Sequence, residues 1–233
     1  MNVLPTEMRV RVISSLVESV SIRATARLLD VNKDTIVKLG LDVGEGCARL
    51  HDRLMRDLEV PALEIDEMWS FVWKKEKRVS EGDDREQCGD QWLFLATADS
   101  SKAIVAYVVG KRTVANTDLF IRDIRARILN RPSIISDGFK PYIDAIDRAF
   151  GTDVDYGMLV KSFEIEKDPD KLHHGEPAEK AVVQKRRVQG TPDLEHASTS
   201  FAERNNLTVR MHARRFARRT SGTSKKLENH RAA

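Results

Sequence analysis

The sequence predicts an α/β protein: a mixed sheet flanked by helices, preceded by a small all-α domain. Three observations predict it. Apolar runs of strand type at 62–72, 92–99 and 103–110 follow one another with only loops between them. From residue 113 onward, segments of helical period alternate with short strand-like runs. Ahead of Pro61, by contrast, only the helical period is found, in short segments.

Composition narrows the classes. Of 233 residues, 41% are hydrophobic and 32% charged, enough to bury a core in one large domain or one domain with an appendage. No apolar run reaches membrane-spanning length, and the first residues lack the pattern of a secretory leader. A chain that neither spans a membrane nor is exported is expected. Cys47 and Cys88 stand far apart without partner spacing, which fits a reducing compartment and argues against a zinc finger or a disulfide framework. A Gly-rich phosphate loop is missing, and no Ser or Cys nucleophile has a partnered His, which argues against ATP-driven and acyl-transfer enzymes. The net charge of +3 is unevenly spread. From Arg204 to Ala233 nine Lys or Arg face one acid, whereas residues 60–203 hold 21 basic and 26 acidic groups. An acidic centre with a basic end suits a metal–carboxylate site beside a phosphate-binding surface; a solvated tail has the same composition.

In chain order, residues 6–19 form a first helix, with Thr6 as N-cap and Met8, Val12 and Leu16 at four-residue spacing. Ser21 caps a second helix through Leu29, Asp30-Val31-Asn32 makes a tight turn, and Lys33 to Leu39 forms a third. This is the helix-turn-helix arrangement, with Arg23, Lys33, Thr35 and Lys38 as groups for bases or phosphates. Any small three-helix bundle with polar outer faces has the same pattern. Residues 40–59 read as a separate bridging helix through Cys47, Leu50, Leu54 and Leu58, completing a domain over 1–59. The first strand covers 62–72, Lys74 to Asp90 is a charged loop, and strands at 92–99 and 103–110 follow. A helix over 113–129 buries Leu119, Ile121, Ile124 and Ile128; 132–138 is a short strand, 142–150 a helix and 154–163 a further strand. Three antiparallel strands, a helix, a strand and a helix are in ribonuclease-H-like order. In that topology the first strand is central and the fourth lies beside it. The catalytic domain spans 60–221, with 164–197 as an irregular insertion in which His173-His174 is exposed, and 222–233 is a basic C-terminal tail.

Three acids suit one reaction. Asp66 and Asp137 each lie in or at the end of a short apolar run, and Glu203 lies on a late helix whose Glu203, Asn206 and Arg210 share a face. Hard oxygen ligands of this kind hold Mg²⁺, and paired ions activate an attacking oxygen and stabilise a leaving one in phosphoryl transfer. Asp90 and Asp99 are rival ligands on this reasoning, and His196 stands close enough to the helix to assist.

The segments Ser21 to Leu29, Asp66-Glu67-Met68-Trp69-Ser70-Phe71, Ser136-Asp137-Gly138, Phe150 to Tyr156, Ser198 to Thr208 and Arg214-Arg215-Phe216 resemble the insertion-sequence-1 family of bacterial transposases. The resemblance runs from about residue 21 to His230. It implies a DDE-type transposase with Asp66, Asp137 and Glu203 as catalytic, metal-binding triad for two Mg²⁺ ions, Mn²⁺ being a substitute. It also implies Arg210, Arg214 and Arg215 on DNA, terminal inverted repeats and target DNA as partners, a homo-oligomer on DNA, and a cytoplasmic, nucleoid-associated protein. Family members usually carry a cysteine-rich zinc segment ahead of the helix-turn-helix, and no such cysteines occur here. A DNA-binding regulator or inactive remnant, and a nuclease that cuts without joining, are the alternatives.

Overall fold

The computed structural model describes residues 4–165, 179–218 and 220–233. Its centre is a mixed sheet of six strands: β1 (Ala62–Val72), β2 (Gly89–Ala98), β3 (Ile104–Gly110), β4 (Ser133–Asp137), β5 (Asp155–Ile165) and β6 (Glu179–Gln189). Their spatial order is β3-β2-β1-β4-β5-β6. β1 pairs antiparallel with β2 and parallel with β4, so the first strand is central with the fourth beside it, as the pattern predicts and compatible with a ribonuclease-H-like fold.

Helices cover both faces. α4 (Val114–Arg127) and α5 (Pro141–Phe150) lie on one side, where Phe120, Ile121, Ile124, Tyr142 and Ile146 pack fully buried against Leu63, Ile65 and Phe94. Transfer of such side chains from water, at ~1.5–3 kcal/mol each, makes this the main core. Leu119 is not part of it. It is 58% exposed, and Phe120 takes the inward position beside Ile121, Ile124 and Ile128, which are buried as predicted. On the other face, α6 (Ser200–His212), a short turn at Arg214–Phe216 and α7 (Leu227–Arg231) cover Met68, Val72, Leu93 and Leu95 with Phe216 and Leu227.

Before the sheet come α1 (Thr6–Val17), α2 (Ile22–Leu29) and α3 (Lys33–Leu54), packed around Val12, Val31, Ile36 and Leu39. Ser21 caps α2 as expected, its Oγ accepting from Ala24 N at 3.2 Å, and Asp30 ends α2 in the left-handed region. Thr6 is the first residue of α1 rather than its cap, Pro5 preceding it. Two helices expected over 33–59 are one: α3 is continuous for 22 residues through Gly40, Gly44 and Gly46. Glycine costs a helix interior ~1 kcal/mol, and here contacts at both ends offset it. Near the far end, His51 Nε2 meets Ile104 O at 2.8 Å, and the buried Arg127 guanidinium donates to Met55 O and Asp52.

Two segments depart from the sequence pattern. Residues 164–197 are not wholly irregular, because β5 runs to Ile165 and β6 pairs antiparallel with it from Tyr156↔Gln189 to Ile165↔Glu179. β6 is an edge strand whose residues 183–187 are exposed, so that stretch shows no apolar alternation to read; charge on an edge also blunts pairing with other chains. His173-His174 lies outside the described residues. The segment 222–233, expected as a basic C-terminal tail, packs against the sheet. Ser224, Leu227 and His230 are buried, His230 stacking on Phe216 with ring centres 4.3 Å apart. No helix among the described residues is long and apolar enough to cross a membrane.

Candidate active site

Parallel pairing of β1 with β4 runs from Ala62↔Ser133 to Ile65↔Ser136, so Asp66 and Asp137 stand next to each other one step further on. Oxygens of Asp66, Glu67 and Asp137 all lie within 4.8 Å of one another, the one such acidic group among the described residues. Asp137 Oδ1 accepts from Phe139 N at 3.0 Å, which closes the turn after β4 and fixes the carboxylate. The rivals Asp90 and Asp99 lie outside this group: Asp90 Oδ1 accepts from Glu76 N, and Asp99 pairs with Lys102.

Glu67 was not singled out as a ligand from the sequence. Successive strand residues face opposite ways, so Glu67 shares the core-facing row of Leu63 and Ile65 while Asp66 faces α6. An ionisable group in a core row was the available signal. Its Oε1 accepts from Arg112 Nε at 2.7 Å and its Oε2 from the Tyr142 hydroxyl at 2.9 Å. Burial and the nearby Asp137 charge push the Glu67 carboxyl up to about 7, with Arg112 acting in the opposite direction.

α6 is set over this group by another carboxylate. Glu64 Oε2 accepts from Phe201 N at 2.7 Å and Ala202 N at 2.9 Å, filling free donors at the helix N-terminus and complementing its dipole. Burial raises the Glu64 carboxyl despite those two bonds. The face shared by Glu203, Asn206 and Arg210 then lines a cleft of about 570 Å³ with Asp66, Glu67, Trp69 and Trp92. Asn206 is buried and its Nδ2 donates to Asp66 Oδ2 at 2.7 Å. Its Oδ1 is buried without a hydrogen-bond partner among the described residues. Glu203 is exposed on the cleft wall, its Oε1 accepting from Thr199 Oγ1 at 3.1 Å; it is not in the tight acidic group. The donor set fits a hard divalent cation, since carboxylates converge from two strands and the orphaned amide oxygen beside them is neutral.

The basic residues divide by neighbour. Arg210 donates to Trp69 O at 3.1 Å and Phe216 O at 3.0 Å, tying α6 to β1 and to the following turn, and its burial beside the Arg218 charge lowers its pKa. Arg215 is half-buried and donates to Ser224 Oγ at 3.1 Å; burial lowers it too. Arg214 is exposed and reaches Ser19 O at 3.3 Å. Arg23, Lys33, Thr35 and Lys38 are exposed on α2 and α3. His196 is engaged with Asp193 at 2.8 Å, an exposed pair outside the cleft.

Fold and site together define an α/β protein with a six-stranded mixed sheet and an acidic cleft over two central parallel strands. No protein-family model matches the sequence, and no curated protein does.

Proposed function

We propose that the chain is a DDE-type DNA transposase related to the insertion-sequence-1 family, with a ribonuclease-H-like catalytic domain and an N-terminal helix-turn-helix DNA reader. The single observation that carries this reading is the meeting of Asp66 and Asp137 on neighbouring parallel strands, under a helix that brings Glu203 to the same cleft. Asp66, Asp137 and Glu203 would hold Mg²⁺ or Mn²⁺. When bound, such ions supply Lewis-acid stabilisation of the phosphate and a more acidic attacking oxygen.

The chain's own residues would do the rest. Asn206 orients the Asp66 carboxylate, and the Phe139 amide orients that of Asp137. Arg218 on the cleft wall meets a phosphate backbone, while Arg23, Lys33, Thr35 and Lys38 bind the terminal repeats and give the complex its salt dependence. Two such ends must be held at once, which calls for a homo-oligomer on DNA.

Strand cleavage and joining on a duplex carrying the repeats that flank the gene, in Mg²⁺, tests this reading. Joined product that disappears in Asp66→Asn and in Asp137→Asn is expected, with repeat binding retained. Cleavage without joining would favour a nuclease. Binding of the repeats with neither reaction would identify a DNA-binding remnant or regulator.

A further inference from the structure

β1 outruns the helical layer that covers its first half. Leu63 and Ile65 lie in the core under α4 and α5, and Glu67, next in the row, meets Tyr142. Further along the same face, Trp69 and Phe71 are half-buried, whereas Met68, Ser70 and Val72 on the opposite face are buried. The register of β1 with β2 puts the half-buried Trp92, which also packs on the main core, directly across from Trp69. The rings of Trp69 and Phe71 are 5.7 Å apart and inclined by 35°. An aromatic patch therefore begins at the acidic group, and Trp69 and Trp92 are part of the cleft wall itself.

Cations stand over the rings. Lys75 Nζ lies 5.6 Å from the Trp69 ring centre and 6.0 Å from that of Phe71, and the Arg112 guanidinium lies 4.7 Å from that of Trp92. The acids at the rim are engaged already, Glu76 by Lys111 and the Asp90 amide, and Asp90 by the Glu76 amide. Aromatic rings and Arg are common in protein interfaces too, so the position of this patch at the mouth of the acidic cleft is what selects the ligand. Planar rings alternating with cations there match a ligand that is itself planar, and negatively charged between its planes.

We infer that Trp69, Phe71 and Trp92, with Lys75, form a stacking platform for unpaired bases of a DNA strand whose backbone enters the acidic cleft. This rests on the reading of the cleft as a DNA-strand site. A base in the duplex presents its edges, not its faces, so the platform selects a frayed or single-stranded end, without regard to sequence. It also separates two duties: the N-terminal helices choose the site, and the rings hold the strand open beside the acids.

The test uses the full chain carrying Trp73→Phe, so that the remaining tryptophan fluorescence comes from Trp69 and Trp92, with a 15-nucleotide oligothymidylate and a blunt duplex of equal length. Oligothymidylate is expected to quench the fluorescence. Trp69→Ala and Phe71→Ala should each weaken its binding roughly 5- to 100-fold while duplex affinity stays within about two-fold. Trp69→Phe should keep most of the affinity, and Lys75→Ala should weaken it and flatten its salt dependence. Circular dichroism verifies folding; if an alanine variant unfolds, Trp69→Phe and Lys75→Ala decide. Unchanged oligothymidylate affinity in the folded ring variants overturns the inference. So does loss of self-association in sedimentation with DNA binding intact, which would make the patch a contact with a second copy. Joined product in the cleavage assay together with unaltered oligothymidylate binding rejects the platform alone. Platform binding with no cleavage or joining rejects the transposase reading alone.

Discussion

Asn206 shows how one side chain decides what a carboxylate can do. Its amide reaches Asp66 at 2.7 Å, and its buried oxygen has no partner among the described residues. Removing it should leave the fold intact and let Asp66 rotate, so Asn206→Ala is expected to lose activity about 10- to 100-fold, with more Mg²⁺ needed for half-maximal rate. A metal titration of the rate checks this, because a merely structural role would leave the Mg²⁺ requirement unmoved. A different residue, His230, predicts a pH effect. Buried against Phe216, with Ser70 and Ser224 hydroxyls at 2.8 and 3.1 Å from its nitrogens, its imidazole is pushed down to about 4, first by burial and then by Arg215. The unfolded chain takes up that proton near pH 6.5 and the folded chain only near 4, so this stability is complete above 6.5 and is lost as pH falls through the window, about 3 kcal/mol in all. Denaturation midpoints between pH 7 and 4 should fall for the wild type and flatten in that window for His230→Asn. Residue identity in the site was partly legible. Asp66 and Asp137 were found because strand ends can be read from apolar runs. Strand alternation sets Glu67 in the row of Leu63 and Ile65, opposite Asp66, but it does not show that its carboxylate reaches the oxygens of Asp66 and Asp137. Arg210 and Arg215 carry charges that composition assigns to DNA, but composition does not say that the carbonyls of Trp69 and Phe216, or the Ser224 hydroxyl, lie within reach.

Between residues and molecule stand the elements, and α6 depends on a partner far away in sequence. Glu64, in β1, supplies the cap that Thr199 does not, accepting from two amides at the start of the helix. Glu64→Ala is expected to cost about 1–2 kcal/mol in stability, as loss of a helix cap does, and to make the first turn of α6 exchange amide hydrogens faster. Hydrogen exchange of Phe201 to Glu203 measures this directly; protection equal to wild type would show that Glu64 does not hold the helix. The strands of the central sheet were legible because their apolar runs are bounded by Gly, Pro and charge. β6 was not, since an edge strand exposed through 183–187 needs no apolar alternation. α3 runs on from the expected third helix into the bridging segment through three glycines, and its far end is held from outside by Ile104 O and Arg127. The inward position of Phe120, by contrast, was open to reading, since Thr117, Phe120, Ile121, Ile124 and Ile128 share one face at helical spacing and Leu119 does not.

At the scale of the molecule, the N-terminal helices and the end of α6 meet. Ser19 Oγ donates to Met211 O at 2.6 Å, His212 Nδ1 lies 3.1 Å from Val17 O, and Arg214 reaches Ser19 O. Such contacts join the helix bearing Glu203 to the unit proposed to read DNA. Binding at one should therefore bias the other by a shared free energy, typically of ~1–3 kcal/mol. Affinity for the repeats is expected to rise when Ca²⁺, a non-reactive stand-in for Mg²⁺, is added, and Arg214→Ala with Ser19→Ala should reduce that gain. Fluorescence anisotropy with and without Ca²⁺ measures both, and an equal gain in wild type and double variant would exclude the coupling. None of these contacts could be read from sequence, because each links a side chain to a backbone carbonyl more than 190 positions away.

α6 is consequently moored at both ends, by Glu64 at its first turn and by the corner after α1 at its last. Between those ends Asn206 holds Asp66, Asn205 holds Thr97, and Arg210 holds the Trp69 and Phe216 carbonyls. A rod pinned along its length as well as at both ends neither slides nor rolls. Any approach of Glu203 to Asp66 and Asp137 would then come from its own side chain turning over a fixed backbone.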